Sequence, residues 1–143
     1  GVAGYPEKHF EAPNMDSDLK YLKEKVDAGA DYIVTQMFFD NAKYFSFVDA
    51  CRKIGITVPI IPGLKPVYTR KQMTTLPKTF HIDLPADLSD AMSKCNTDLD
   101  VEKVGTEWLL QQSRELKKAG VPVLHYYTLG RPNIVANVVK ELR

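Results

Sequence analysis

The sequence predicts a parallel α/β fold, the C-terminal half of a (β/α)8 TIM barrel with four parallel strands joined by crossover helices. Three observations carry that expectation. A helix, a glycine, an apolar run and a polar loop recur in that order at Gly29, Gly55 and Gly120, and crossovers of this kind make neighbouring strands parallel and right-handed in connection. The apolar runs end in polar residues that a core does not need: Tyr5 and His9 after Val2–Tyr5, Gln36 within Tyr32–Phe38, Lys65 after Val58–Leu64, Thr128 and Arg131 at the end of Val123–Thr128. In parallel α/β folds function collects at those carboxyl ends. The chain also opens inside an apolar run, and four such units are half of what a barrel of about 250 residues needs. Residues 1–143 are expected to form a single domain. A compact doubly wound sheet is the alternative, against which stands the lack of any GxGxxG or GxxxxGK[ST] loop.

The elements follow in order. Leu19, Leu22 and Val26 give the apolar stripe of a helix from about Ser17 to Ala28, capped by Asp16 or Ser17 and closed at Gly29. Tyr32–Phe38 reads as a strand buried on both faces. Tyr44, Phe47, Val48, Cys51 and Ile54 share one side of a second helix, about Ala42–Ile54. Val58–Leu64 is the next strand, with Pro59 at its start, where a missing N–H matters least. Thr69 is placed to cap a short helix that contains Met73 and Leu76 and that Pro77 limits; a further short helix carries Leu88 and Met92 inward. A long helix, about Asp100–Ala119, buries Val101, Val104, Trp108 and Leu109. Val121–Thr128 is the last strand, and Pro132 opens a final helix whose Ile134, Val135, Val138 and Leu142 face inward.

Composition narrows the function classes. At 44% hydrophobic, 26% charged and net charge +1, the chain has the balance of a folded domain and lacks the basic stripe of a nucleic-acid binder. It has no apolar run of about eighteen residues and no signal-peptide pattern, so neither a membrane partner nor export is expected. Cys51 and Cys95 stand alone, without CxxC or Cys/His spacing, so no metal site is expected and both read as free thiols in a reducing, cytoplasmic setting.

Several polar residues could carry chemistry. Tyr5 offers a ring for stacking and His9 a switchable donor, although a loop histidine is more often solvated. Asp18, Tyr21 and Lys25 line one stripe of the first helix; they edge a cleft for ribose or phosphate, or they form a solvated face with local ion pairs such as Lys20–Glu24. Gln36 interrupts the most hydrophobic strand, so its amide either bonds a neighbouring strand or reads a planar ligand. Arg131 precedes a helix whose dipole disfavours cations there; a carboxylate ligand explains it, and so does a surface position.

Taken together, Tyr5-Pro6-Glu7-x-His9-x-Glu11-Ala12, Asp18-Leu19-x-x-Leu22-Lys23-Glu24-Lys25-Val26-Asp27-Ala28-Gly29-Ala30, Thr35-Gln36-x-Phe38-Phe39-Asp40, Pro62-Gly63-x-x-Pro66 and His125-x-Tyr127-Thr128-Leu129-x-Arg131 resemble methylenetetrahydrofolate reductases across residues 1–143. The resemblance implies the second half of that family's barrel. It implies an enzyme that carries FAD and reduces 5,10-methylenetetrahydrofolate to 5-methyltetrahydrofolate with NAD(P)H. By matching position, Tyr5, His9, Ala12, Asp18 and Lys25 would contact FAD, and Gln36, Gln72 and Arg131 the folate, Arg131 toward its acidic tail. The family's general-acid Glu and flavin-side Asp lie in the first half of the barrel, so no catalytic residue is expected here. Tyr21 and Glu24 replace an amide and an Arg of some relatives, Leu76 a Phe, and Gly130 a common Asn. The expected partners are folate, NAD(P)H, and a second copy or a complementing N-terminal half. The alternative is a non-catalytic, self-associating half-barrel or ligand-binding module; an aldolase-like site would rest on Lys65.

Overall fold

The computed structural model describes residues 1–143 as parallel strands alternating with six helices. In chain order these are β1 (Val2–Gly4), α1 (Met15–Asp27), β2 (Ile33–Thr35), α2 (Asn41–Lys53), β3 (Ile60–Ile61), β4 (Gly63–Leu64), α3 (Gln72–Phe80), α4 (Ala86–Ser93), α5 (Asp98–Lys118), β5 (His125–Tyr126) and α6 (Pro132–Glu141).

The strands form two parallel sheets, β1-β2-β3 and β4-β5, rather than one sheet of four. The reason lies around Pro62. The β2–β3 ladder ends at the Val34–Ile61 pair. Beyond it Pro62 has no N–H to donate, and the Gly63 N–H donates 2.9 Å to the Thr35 hydroxyl instead of to a backbone carbonyl. The freed Thr35 carbonyl accepts from the Tyr127 hydroxyl at 2.8 Å. One extended segment thus pairs first with β2 and then, through Pro62 O to His125 N at 3.0 Å, with β5.

Helix boundaries follow local chemistry. Asn14, not Asp16 or Ser17, caps α1, its side chain accepting from Ser17 N. The α5 start moves to Asp98 because Thr97 caps it, accepting from Asp100 N. Thr69 caps nothing, and Pro77 does not stop α3. A proline removes only its own donor and the carbonyl partner behind it; here the helix runs on until His81 turns left-handed (φ 53°) and donates to Pro77 O at 2.9 Å.

Two apolar clusters hold the layers together. Leu19 and Leu22 of α1, Tyr44, Phe47 and Cys51 of α2, and Leu109 and Leu116 of α5 close over Ile33, Ile60 and Leu64. Met37, Phe39, Val67, Leu76, Leu88, Met92 and Val101 form the second cluster beneath α3 and α4. Each such side chain contributes about 1.5–3 kcal/mol on burial. Val104 and Trp108, expected in the core, are only half-buried at the margin of the second cluster, where the Trp108 ring N–H donates to Phe39 O, 3.0 Å away. No helix is long and apolar enough to cross a membrane.

Gly105 of α5 packs directly on the backbone after β4, where an added Cβ would lie 1.9 Å from Val67 O. In an open helix Gly→Ala gains roughly 0.5–1 kcal/mol. At this position overpacking of about 1–3 kcal/mol outweighs that gain. Gly105→Ala is therefore expected to lower the urea unfolding midpoint; an unchanged or raised midpoint would mean that α5 does not sit on Val67.

Candidate functional site

The loop after β1 is held by its own polar groups. Lys8, left-handed at φ 72°, donates from Nζ to His9 O at 3.0 Å and Ala12 O at 2.6 Å. The His9 N–H donates 2.9 Å to Asp18 Oδ2, tying the loop to α1. The Tyr5 and His9 rings meet edge to face, 4.6 Å apart. Between loop and helix lies a cavity of about 660 Å³ whose wall includes Tyr5, His9, Ala12, Asp18 and Lys25, all five residues expected to meet a cofactor. Tyr21 and Glu24 line it too. Lys25 makes no ion pair; the pair along α1 is Lys23–Asp27, not Lys20–Glu24.

A second loop clamps this one. Glu7 Oε1 accepts from Lys43 Nζ at 2.5 Å and from Asp83 N at 3.0 Å, while Lys43 also donates to Asp83 at 2.8 Å. Burial alone would lower the Lys43 pKa, but the bonds to Asp83 and Glu7 outweigh it and hold the pKa above its ordinary value. The Phe10 ring stacks on His81, 4.6 Å away, so the chain after α3 rests against the β1 loop.

Gln36 and Gln72 both spend their acceptors locally. Half-buried Gln36 accepts from Met37 N at 3.1 Å and makes no side-chain bond to a neighbouring strand, so its NH2 is unpartnered. Gln72 Oε1 accepts from Tyr68 N at 2.8 Å and Thr69 N at 3.3 Å, and its NH2 likewise is free. Leu76 is 4% exposed within the second core cluster and offers no surface to a ligand.

Arg131 has partners inside the chain. One nitrogen donates 2.6 Å to Glu102 of α5, and the guanidinium carbon lies 4.9 Å from the centre of the Tyr68 ring. The preceding turn carries Leu129 at φ 43° and Gly130 at φ 88°. Glycine and asparagine both tolerate that left-handed region, so Gly130 and the Asn that the resemblance leads one to expect there suit the same turn.

Lys65 was legible as a polar strand end and as the one lysine on which an aldolase-like site would rest. It is 1% exposed, the one buried charged side chain of the chain. Its Nζ donates to Pro66 O at 2.9 Å and lies 4.6 Å from the same Tyr68 ring. Tyr68 and Glu102 had no sequence signal for their contacts with Arg131, which lies far from both in the chain. By contrast, the apolar cavity of about 590 Å³ at the amino ends of β2 and β3, walled by Tyr32, Val48, Pro59 and Val121, holds none of the expected site residues. Burial pushes the Cys51 thiol up to about 11, consistent with a packing role.

Similarity to known proteins bears on the family of the chain. Residues 1–143 match the family model for methylenetetrahydrofolate reductase. A Caenorhabditis elegans protein described as a probable methylenetetrahydrofolate reductase (NADPH) is 39% identical over 144 residues, 99% of this chain and 22% of its own length. Methylenetetrahydrofolate reductase 1 of Schizosaccharomyces pombe is 35% identical over 143 residues, 99% of this chain and 24% of its own. The Buchnera aphidicola 5,10-methylenetetrahydrofolate reductase is 33% identical over 138 residues, 96% and 47% respectively. This chain therefore spans between 22% and 47% of the length of these three relatives. Among solved structures, an uncharacterized Clostridium thermocellum protein that binds two copies of 5-methyl-5,6,7,8-tetrahydrofolic acid aligns with TM-score 0.60 at 18% identity, over 96% of this chain and 50% of that one. At that identity the likeness concerns the fold.

Lys65 sets a pH dependence. Burial lowers its pKa from 10.5 to about 8. Between those values the unfolded chain holds a proton that the folded chain has released, so stability rises with pH across that window. Below about pH 8 the buried charge is fully present and its cost is largest. Lys65→Met is expected to stabilise the fold at pH 7 by up to about 3 kcal/mol, an advantage that shrinks as pH rises. Denaturant titrations at pH 7 and above pH 10 test this; a destabilised variant at pH 7 would reverse the sign.

Proposed function

The chain belongs to the methylenetetrahydrofolate reductase family, and on that premise we propose that it forms the C-terminal half of a (β/α)8 barrel that carries FAD and reduces 5,10-methylenetetrahydrofolate with NAD(P)H. The observation that supports this most is the single cavity lined by Tyr5, His9, Ala12, Asp18 and Lys25. Its chemistry suits the nucleoside end of a dinucleotide. It has a ring to stack on, carboxylates to accept from ribose hydroxyls, and an ammonium free for phosphate. FAD bound there would supply hydride transfer from NAD(P)H to the methylene carbon of the folate.

The chain's own residues bind and orient on this reading. The free NH2 of Gln36, at the carboxyl end of β2, donates to the acceptor edge of the pterin. Gln72 shapes the turn before α3 and presents its remaining donors beside it. Arg131 offers its unpaired N–H groups to the acidic tail. No carboxylate here is assigned as the proton donor: Glu7 is committed to Lys43 and Asp83, and Glu102 to Arg131.

A second reading, a self-associating half-barrel, has its own support. β1 and β5 each pair along one side only, Val123 is 52% exposed, and open edges recruit further chains. Residues 1–143 alone are expected to sediment at micromolar concentration as a dimer or larger, without reductase turnover. A stable monomer, or measurable turnover, would count against both the half-barrel and its missing catalytic groups.

The folate assignment is tested in the full-length protein. Arg131→Ala is expected to weaken folate binding by one to two decades, the equivalent of about 1.5–3 kcal/mol for a charge-assisted bond, with FAD affinity unchanged. Gln36→Ala is expected to lower folate turnover while the flavin remains bound. Unchanged folate kinetics in both variants, or loss of FAD from Gln36→Ala, would remove these residues from the folate site.

A further inference from the structure

A third cavity, of about 510 Å³, opens where the start of α2, the start of α4 and the C-terminal half of α5 meet. It shares no residue with the α1 cavity or with Gln36, Gln72 and Arg131. Three elements each bring a carboxylate to its wall: Asp40 caps α2, Asp87 lies in the first turn of α4, and Glu115 stands on α5. The wall holds no Lys, Arg or His, and none of the three acids enters an ion pair. Gln112 adds to this. It belongs to the same wall, is 4% exposed, and its Oε1 has no hydrogen-bond partner. We propose that this cavity binds a small aliphatic polyamine, a ligand whose charged nitrogens are spaced along an apolar stem.

Donors and acceptors in the wall are out of balance. The donors are engaged. Asn41 Nδ2 reaches Gln112 O at 3.2 Å and Glu115 at 2.9 Å. Gln112 Nε2 reaches Phe38 O and Asn41 Oδ1, both at 3.2 Å, and Trp108 Nε1 reaches Phe39 O at 3.0 Å. The acceptors are not. Asp87 is exposed on its helix, Asp40 uses one oxygen for Ala42 N at 2.9 Å, and Glu115 meets only the neutral amides of Asn41 and Gln111. The ligand that suits such a wall donates hydrogen bonds and carries positive charge. The Gln112 carbonyl, a buried dipole left without a donor, strengthens the same negative field. A metal ion does not answer to it, because no three His, Cys, Asp or Glu side chains converge closely enough to hold one. Charges spread over three helices call instead for a ligand whose own charges are spread. The wall also carries Phe45, 37% exposed, and the half-buried Trp108 ring. Methylene stems pack on such apolar surface, and an ammonium is attracted to an aromatic face.

Equilibrium binding to the full-length protein tests this with spermidine, which has three charged nitrogens, putrescine, which has two, and 1-aminobutane, which has one. At about 0.15 M ionic strength, exposed charges more than ~8 Å apart are largely screened, so a diffuse counterion effect is suppressed. Spermidine is expected to bind most tightly and 1-aminobutane least. Asp87→Asn and Asp40→Asn each remove one charge, and the second keeps the helix cap, because asparagine caps as well as aspartate. Each is expected to weaken spermidine by roughly three- to tenfold, with the ligand-free thermal midpoint unchanged. Asp16→Asn, at an exposed acid of α1 outside the cavity, should leave spermidine affinity as it is. A loss in either cavity variant that Asp16→Asn does not share supports the site. Absence of saturable spermidine binding, equal affinity for all three amines, equal weakening by Asp16→Asn, or an affinity unmoved in both cavity variants overturns it. None of these readouts uses folate or turnover, so the outcome is independent of the folate assignment.

Discussion

Thr35 is the residue on which the two sheets depend. It is fully buried at the end of β2. Its hydroxyl takes the Gly63 N–H and its carbonyl takes the Tyr127 hydroxyl, so one residue joins the end of β2 to β4 and β5 after the backbone ladder has ended. Buried donors and acceptors left without such partners would cost about 1–3 kcal/mol each. The same junction demands glycine at position 63, where a Cβ would lie 2.3 Å from Thr35 O and 2.7 Å from the Tyr127 ring. Its consequence is positional: Gln36 follows Thr35 directly, Lys65 lies two residues past Gly63, and Arg131 four past Tyr127.

Helix α5 then fixes the loops that leave this junction. Gln112 donates to Phe38 O and to the Asn41 side chain, both at 3.2 Å, and Trp108 donates to Phe39 O at 3.0 Å. Ser113 meets the Tyr126 hydroxyl at 2.9 Å. Gly105 lets the helix close on Val67, and Glu102 holds Arg131. A single rigid element thus reaches the chain after β2, after β4 and after β5. Sites supported in this way hold their geometry better than sites built on loops alone.

The alternation of helix, glycine and apolar run was legible because periodicity and left-handed closure are local properties. The grouping of Tyr5, His9, Ala12, Asp18 and Lys25 came from matching motifs, since loop and helix meet through the bond between His9 N and Asp18, nine residues apart. The division into two sheets was not legible. It turns on the Tyr127 hydroxyl finding Thr35, 92 positions away, which no local pattern encodes. Arg131 illustrates the mixed case: its unfavourable place before a helix was visible, but Glu102, 29 positions earlier, was not. Lys65 stood in plain sight between a strand and a proline, yet composition gives no sign that a lysine there is sealed from water.

Charge is distributed unevenly along the strand ends, and that distribution bears on how a ligand would lie. The α1 cavity is edged by Glu11, Asp18 and Glu24 against the single cation Lys25. At the far side, Lys65 and Arg131 share Tyr68 with only Glu102 to oppose them. At the first place hydroxyl-bearing groups find acceptors and Lys25 alone is left for a phosphate, whereas carboxylates are drawn to the second. Such complementarity decides orientation and discrimination more than total affinity. Between the two lies Gln36, neutral and with donors to spare. On the proposed reading, the cofactor's nucleoside and the substrate's carboxylates are sorted to opposite ends before any contact specific to either is made, and the pterin is left to the amide between them.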